Sequence, residues 1–236
     1  MDPLRLVLAM AVAGTLAVER KAFLQAMIAR PLVAGALLGL CLGRPTEGLA
    51  VGAGLELFYL GAVNLGAALP DNELFTTVAA TACACTLASE TSLPLTATLA
   101  AACLTCLPAA KLGKLTDRLS ERLNARMLGI VEQEGCERRI STGLRHNLYG
   151  LWVPFLLTAL AIVAGALLGD LVLPQLLALG PASLARGLGM AWVVLLIVAA
   201  AAAAHAAHTA HAFLWAALAA GASASVHVAG LLGGGR

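Results

Sequence analysis

Long uncharged segments fill most of this 236-residue chain and leave it few ways to fold. With 60% hydrophobic and only 12% charged residues, and a mean hydropathy of +0.89, the sequence is too apolar for a soluble domain. A membrane-spanning helix needs about 20 apolar residues. We therefore expect an all-α, polytopic helical membrane protein with about six to eight membrane elements, including re-entrant segments. The uncharged or nearly uncharged runs are 6–18, 31–43, 49–70, 74–110, 148–169 and 187–235.

The first run also has features of a secretory signal, because Arg5 precedes it and small residues suited to cleavage lie within it. However, apolar character resumes soon after the charged residues Glu19, Arg20 and Lys21. This pattern favours a retained first helix followed by a short turn.

Basic residues are concentrated in one loop, which sets the orientation of the chain. The positive-inside rule places residues 111–147 in the cytoplasm. We expect residues 1–110 to form an N-terminal membrane block, 111–147 a cytoplasmic amphipathic loop and 148–236 a C-terminal membrane block. The loop contains eight of the fifteen basic residues, namely Lys111, Lys114, Arg118, Arg122, Arg126, Arg138, Arg139 and Arg145.

Within this loop, basic residues recur every four positions from Lys114 to Arg126, and apolar residues from Leu112 to Ile130 follow a neighbouring face. The pattern predicts an amphipathic helix. One interpretation is a helix lying on the anionic inner leaflet, where each basic residue adds about 1 kcal/mol of attraction. The other is a docking surface for a soluble cytoplasmic partner.

One apolar segment, residues 51–71, contains both a carboxylate and an amide, Glu56 and Asn64. A charged group at the bilayer centre costs about 2.5 to 3.5 kcal/mol, so Glu56 is expected to face a cavity, a partner or a substrate. On a helix, Glu56 and Asn64 would share one side. The alternative is that Glu56 only pairs with a basic residue such as Arg30 inside the bundle.

Glycines recur at four-residue spacing, which predicts close helix contacts. The cysteine pairs lie at membrane depth without histidine or aspartate, and we interpret them as packing residues. The glycines are Gly35, Gly39, Gly43, Gly48, Gly52, Gly165 and Gly169, and the cysteines are Cys83, Cys85, Cys103 and Cys106.

Nothing in the sequence indicates catalysis by this chain. We find no nucleophile–base pair, phosphate-binding glycine loop or metal-ligand cluster, and we expect no catalytic residue, cofactor or resident metal. A nucleic acid partner is not expected either.

The motif that begins at Arg30 resembles a known family. Its residues are Arg30-Pro31-Leu32, Leu42-Gly43, Gly48, Gly52, Leu55-Glu56, Leu60-Gly61, Asn64, Gly66-Ala67-Ala68 and Pro70-Asp71. This pattern is similar to the N-terminal half of the IIC membrane subunit of phosphotransferase systems of the mannose/fructose/sorbose family. The remaining two-thirds of the chain agrees with that family in hydropathy alone.

The resemblance implies a sugar-translocating permease subunit in the bacterial inner membrane. Such a subunit pairs with a IID membrane subunit, the pairs assemble into a higher oligomer, and soluble IIA and IIB proteins carry the phosphate. The substrate would be a hexose, an amino sugar or a similar polyol. In this role Glu56 and Asn64 would bind sugar hydroxyls, Gly54 and Gly66 would let the backbone approach the ligand, and Asp71 would close one end of the site together with Glu73.

Two other functions remain open. One is a small-solute or metal-ion permease that uses His205, His208 and His211, whose spacing lets them follow one side of a helix. The other is a non-transporting membrane scaffold or sensor of a reduced phosphotransferase system, since the chain becomes unusually alanine-rich after Trp192.

Overall fold

The computed structural model describes residues 2–22, 25–60, 71–132, 136–180 and 183–207, and the regular elements within them are all helical. The expectation of an all-α fold is confirmed. The elements are α1 (Pro3–Lys21), α2 (Pro31–Cys41), α3 (Pro45–Tyr59), α4 (Glu73–Glu90), α5 (Leu95–Cys106), α6 (Ala109–Glu132), α7 (Cys136–Leu167), a π-helix (Leu168–Val172), α8 (Leu173–Ala178) and α9 (Leu184–Ala207).

Helix α4 lies at the centre of the bundle and packs against α2, α3, α5, α6 and α7. Its small residues are buried on all sides, so it joins two apolar clusters. One cluster contains Cys83 of α4 with residues of α3, α5 and α9, and the other contains Val78 with residues of α1, α2 and α7. Because alanine, threonine and cysteine have small side chains, neighbouring helices can approach α4 closely.

Helices α2 and α3 form a hairpin in which glycine backbones touch. A Cβ atom added at Gly35 would lie 2.5 Å from the carbonyl oxygen of Gly48 and 2.8 Å from Cα of Gly52. A Cβ at Gly39 would lie 2.8 Å from Cα of Gly48. The predicted close helix contact is thus made between these two helices. Gly43 closes the turn with a φ of +76°, in the left-handed region that glycine adopts without strain.

Among the residues that the structure describes, two segments, Tyr149–Ala178 and Leu184–His205, are long and apolar enough to cross a bilayer. A third is counted if Leu95–Cys106 and Ala109–Arg126, which are bent by 43°, form one span. Pro108 lies at that bend, where it interrupts the helical hydrogen bonding. The other described helices are shorter or more polar, and α2, with its 11 residues, rises only about 16 Å.

The long span that begins in α7 changes its hydrogen bonding at the π-helix. Pro174 follows directly, and a proline inside a helix cannot bond to the carbonyl four residues before it, here that of Asp170. A Cβ added at Gly165 would collide with the carbonyl oxygen of Ala79, so this span also packs against α4 through a glycine.

The predicted amphipathic helix is confirmed as α6, but the face of α6 that packs against the bundle is not its apolar face. The side that packs on the bundle carries Gly113, Asp117 and Ser120, which are small or polar. Leu112 and Leu119 are 57% and 46% exposed instead. The apolar stripe therefore faces outward, because the inward side is fixed by ion pairs of Asp117 rather than by leucines.

Candidate functional site

The carboxylate of Glu56, predicted to bind sugar hydroxyls, is held in an ion pair. Glu56, in the last turn of α3, accepts hydrogen bonds at Oε1 from Arg30 Nε at 2.9 Å and from Arg30 Nη2 at 2.5 Å. Its Oε2 accepts a further bond of 3.3 Å from the backbone N–H of Leu32. Arg30 is the residue before α2, so the pair joins the two helices at the open end of the hairpin. This geometry matches the alternative considered from the sequence, in which Glu56 pairs with Arg30 inside the bundle.

Arg30 also lines a polar cavity of about 170 Å³, which we call the charged pocket. The pocket lies where the end of α1, the segment before α2 and the start of α4 meet. Two acids and two arginines contribute to its wall, and the lining residues are Glu19, Arg20, Gln25, Met27, Ala29, Arg30 and Glu73.

The segment leading to α2 has unusual backbone geometry beside this pocket. Gln25 and Met27 have φ values of 47° and 61°, which residues with a side chain rarely adopt. Such strain is kept where the surrounding structure holds it, often at binding sites. The backbone N–H of Ala29 in this segment donates a 3.0 Å hydrogen bond to Glu19 Oε2, which fixes the segment against α1.

Glu19 is the most buried acid of the pocket, at 7% exposure. Its Oε2 is bonded to the backbone of Ala29, but its Oε1 is shielded from solvent and accepts no hydrogen bond from the described residues. A buried carboxylate oxygen without a donor costs free energy, and native structures rarely contain one without a reason.

Both arginines of the pocket are already engaged. Arg30 is bound to Glu56, and Arg20 Nη1 donates to Asp117 Oδ2 of α6 at 3.1 Å. Lys21 Nζ lies 2.9 Å from the other oxygen of Asp117, and Asn72 Nδ2 donates to Asp117 at 3.1 Å. Asp117 therefore fixes α6 to the same end of the bundle as the charged pocket.

The other predicted site residues are distributed differently. Gly54 packs against α9, since a Cβ there would lie 3.1 Å from the ring of Trp192. Asp71 is half-exposed and lies 3.9 Å from Lys114 Nζ. Asn64 and Gly66 lie outside the described residues, so their roles remain predictions.

Sequence reasoning missed Glu19 and Gln25 as site residues. Glu19 ends an apolar run, and such a charge is typical of a helix end in solvent. In the sequence, the only indication that Glu19 belongs to the site is its position about three helical turns before the Arg30 motif, with a reversal of the chain between them.

The four cysteines interpreted as packing residues lie in the core at the α4–α5 contact and within α4, and they carry free thiols. Of the three histidines considered for a metal-ion permease, His205 is described near the end of α9, while His208 and His211 lie outside the described residues. No group of three or more potential metal-ligating residues occurs within the described part of the chain.

The fold and the site define a class, a helical membrane protein with a charged pocket at the open end of a short helical hairpin. The protein-family model for the sorbose-specific IIC component of the phosphotransferase system matches residues 4–229, so the chain belongs to that family. The resemblance inferred from the Arg30 motif is confirmed. A curated relative, the sorbose-specific EIIC component of Lacticaseibacillus casei, is 48% identical over 50 residues, which span 21% of this chain and 18% of the relative.

Two solved structures have similar folds over nearly the whole chain. One, described as the structure of a membrane protein, has a TM-score of 0.69 at 20% identity, covering 98% of this chain and 94% of the other. The second belongs to a cryo-EM structure of the mannose transporter ManYZ in complex with microcin E492 (MceA). It has a TM-score of 0.62 at 19% identity and covers 98% of this chain and 93% of the other. At these identities the likeness describes the fold alone.

Proposed function

We propose that this chain is the sugar-translocating IIC subunit of a mannose-family phosphotransferase system, a multi-pass protein of the bacterial inner membrane. The observation that carries the proposal is the Arg30–Glu56 ion pair beside the charged pocket. Sugar hydroxyls are both donors and acceptors, so a pocket with carboxylates and guanidinium groups can bind them in several directions. The family match and the transporter-like fold support the same function.

The pocket would lie on the cytoplasmic side. Arg20 lines it and is bound to Asp117 of α6, the helix that carries many of the basic residues of the central loop. The positive-inside rule assigns that loop to the cytoplasm. A sugar bound here would be near the proteins that phosphorylate it, so phosphoryl transfer would occur on partner subunits and this chain would serve transport alone.

The surface of the bundle is suited to partners. An apolar groove of about 530 Å³ runs between α4, the α5–α6 bend and α7, and the exposed Leu112 of α6 contributes to its wall. Large exposed apolar surfaces mark protein or membrane contacts. We assign the groove to the IID subunit and the basic face of α6 to a soluble IIB protein, with IIC–IID pairs forming the higher oligomer.

Replacing Glu56 by Gln should abolish sugar uptake while the protein remains in the membrane. The change keeps the size of the side chain but removes the charge that holds Arg30 at the pocket. The measurement is uptake of radiolabelled sugar in cells, normalised to the amount of subunit in the membrane.

The hairpin supplies a matched control at its closed end, where Arg44 Nη1 is 3.0 Å from Glu47 Oε1. Glu47→Gln removes a comparable ion pair away from the pocket and should leave uptake per folded molecule near the unmodified level. Normal uptake by Glu56→Gln would reject the proposed role and favour a non-transporting scaffold.

A further inference from the structure

One acidic residue, Asp170, lies on the outer surface of an apolar span and takes no part in the charged pocket. It belongs to the segment Tyr149–Ala178, and its side chain is exposed. Leu167 and Leu171 beside it are exposed too, so the carboxylate lies on an apolar surface. The side chain of Asp170 forms no ion pair or hydrogen bond with another residue that the structure describes.

A carboxylate in this position needs a partner. Ionisable residues inside membrane spans are costly and usually pair with another group. Lysine and arginine side chains can extend to the membrane surface, but an aspartate side chain is too short to do so. Asp170 also lies in the π-helix, a rare element that often occurs at functional sites. A cation from a neighbouring polypeptide would satisfy this carboxylate.

The chain itself carries a suitable cation on another surface. Arg186, in the first turn of α9, is exposed and forms no ion pair with a described residue. Met190 and Val194 follow it at four-residue spacing and are also exposed, so this side of α9 is apolar with Arg186 at one end. The π-helix packs against α4, whereas α9 packs against α3 and α5. Asp170 and Arg186 therefore lie on different sides of the bundle.

The depth of Asp170 follows from contacts of α4. A Cβ added at Gly169 would collide with the carbonyl oxygen of Cys83. One residue pair further along α4, Cys85 Sγ lies 3.9 Å from the carbonyl oxygen of Arg44, the residue before α3. Asp170 is thus level with the start of α3.

The depth of Arg186 follows from contacts of α9 with α3. A Cβ added at Gly54 would lie 3.1 Å from the ring of Trp192. Gly54 is about 14 Å along α3 from its start, and Arg186 is about 9 Å from Trp192 toward the same end of the bundle. The two charges therefore lie within about one helical turn of the same level.

We propose that Asp170 of one copy pairs with Arg186 of a second copy of this chain, where the two apolar surfaces meet. The charges are opposite in sign and match in depth, and a guanidinium group can donate two hydrogen bonds to one carboxylate. Because the two surfaces differ, the contact is head-to-tail and builds a ring if its rotation closes. Asp170 does not line the groove assigned to the IID subunit, so one copy can hold both partners. The inference goes beyond the transport function proposed above, since it assigns the residues through which copies meet.

The test uses two differently tagged forms of the full chain, co-expressed in bacterial membranes with the membrane subunit that accompanies it. After mild solubilisation, one tag is used to recover the other form, and recovery is normalised to the amount in the membrane. Asp170→Lys in both forms should lower recovery by roughly tenfold or more, because like charges then meet. Arg186→Glu should do the same. A chain with both changes exchanges the two charges and should recover its copy as wild type does.

Glu121→Lys is the matched control, because it reverses an exposed acid on α6, away from both surfaces. It should leave recovery unchanged. A second measurement does not depend on variants with reversed charge. One form carries Asp170→Cys and the other Arg186→Cys, and a short bifunctional thiol reagent should join them in membranes. Forms that lack either new cysteine control for the native thiols.

The outcomes are decisive in each direction. Normal recovery by either single reversal overturns the inference, and so does a double variant that recovers no more than the single ones. Absence of the cross-link, with both cysteine forms present in the membrane, overturns it as well. If Asp170→Lys instead releases the accompanying membrane subunit and the double variant stays defective, Asp170 pairs with that subunit and the inference is wrong. Neither residue lines the charged pocket, so such a failure leaves the transport proposal standing.

Discussion

The glycine contact between α2 and α3 allows a sharp test by the substitution Gly48→Ala. A Cβ at this position would lie 2.6 Å from Cα of Gly39 and closer still to the carbonyl oxygen of Gly35. Carbon atoms in contact prefer about 3.5 to 4.0 Å, so the helices would have to separate by roughly 1 Å. Both clashing atoms belong to backbone, which has no rotamer to change.

Overpacking of this kind costs about 1 to 3 kcal/mol. Alanine also gains up to about 1 kcal/mol of helix propensity over glycine, which partly hides the cost. Gly187→Ala is the matched control, because Gly187 lies in α9 and has no atom within 4 Å of the added Cβ. The propensity gain is common to both variants, so their difference isolates the contact, and Gly48→Ala should be less stable than Gly187→Ala by about 1 to 3 kcal/mol.

The assay is unfolding in mixed micelles by added dodecyl sulfate, followed by tryptophan fluorescence. Sugar uptake should fall as well, because Arg30 and Glu56 lie on different helices of the hairpin and separate with them. Equal unfolding free energies for the two variants would show that the hairpin accommodates a methyl group, and the close-packing argument would be wrong.

Two further predictions concern α6. Asp117→Ala leaves Arg20 and Lys21 without their carboxylate, so it should lower the unfolding free energy by about 3 to 5 kcal/mol and open α6 to limited proteolysis. The control Glu121→Ala, on the same helix, should have neither effect. Unchanged protease resistance of Asp117→Ala would contradict the anchoring role of Asp117. Reversing the exposed Arg118, Arg122 and Arg126 to Glu should reduce phosphorylation-coupled uptake with added soluble subunits more than it reduces sugar binding. Equal loss of both would favour a helix that only rests on lipid.

Much of the fold could be predicted from local pattern. The uncharged runs predicted helices in a membrane, and the four-residue spacing of Gly35, Gly39, Gly48 and Gly52 predicted a close contact that α2 and α3 make. The periodic Lys and Arg residues predicted α6. These features depend on spacing along the chain, which the sequence displays directly.

The site was less predictable from the sequence, because it depends on which helix ends meet in the folded bundle. Glu56 was recognised from the cost of a charge among apolar residues, and Arg30 was considered as its partner. Glu19 was not recognised, since its burial follows from the return of the chain between α1 and α2. The inward face of α6 was also unexpected: Asp117 reaches three partners on two other segments, and no periodicity indicates that.

The length of the α2–α3 hairpin has a consequence for permeation. Arg30 marks one end of α2 and Arg44 follows the other, and the 11 residues of α2 between them rise about 16 Å along the axis. The hydrocarbon core of a bilayer is about 30 Å thick. A polar solute moving past the hairpin would therefore cross an insulating layer thinner than the surrounding membrane. In the transport function proposed above, this geometry would lower the dielectric barrier to translocation before any part of the protein moves.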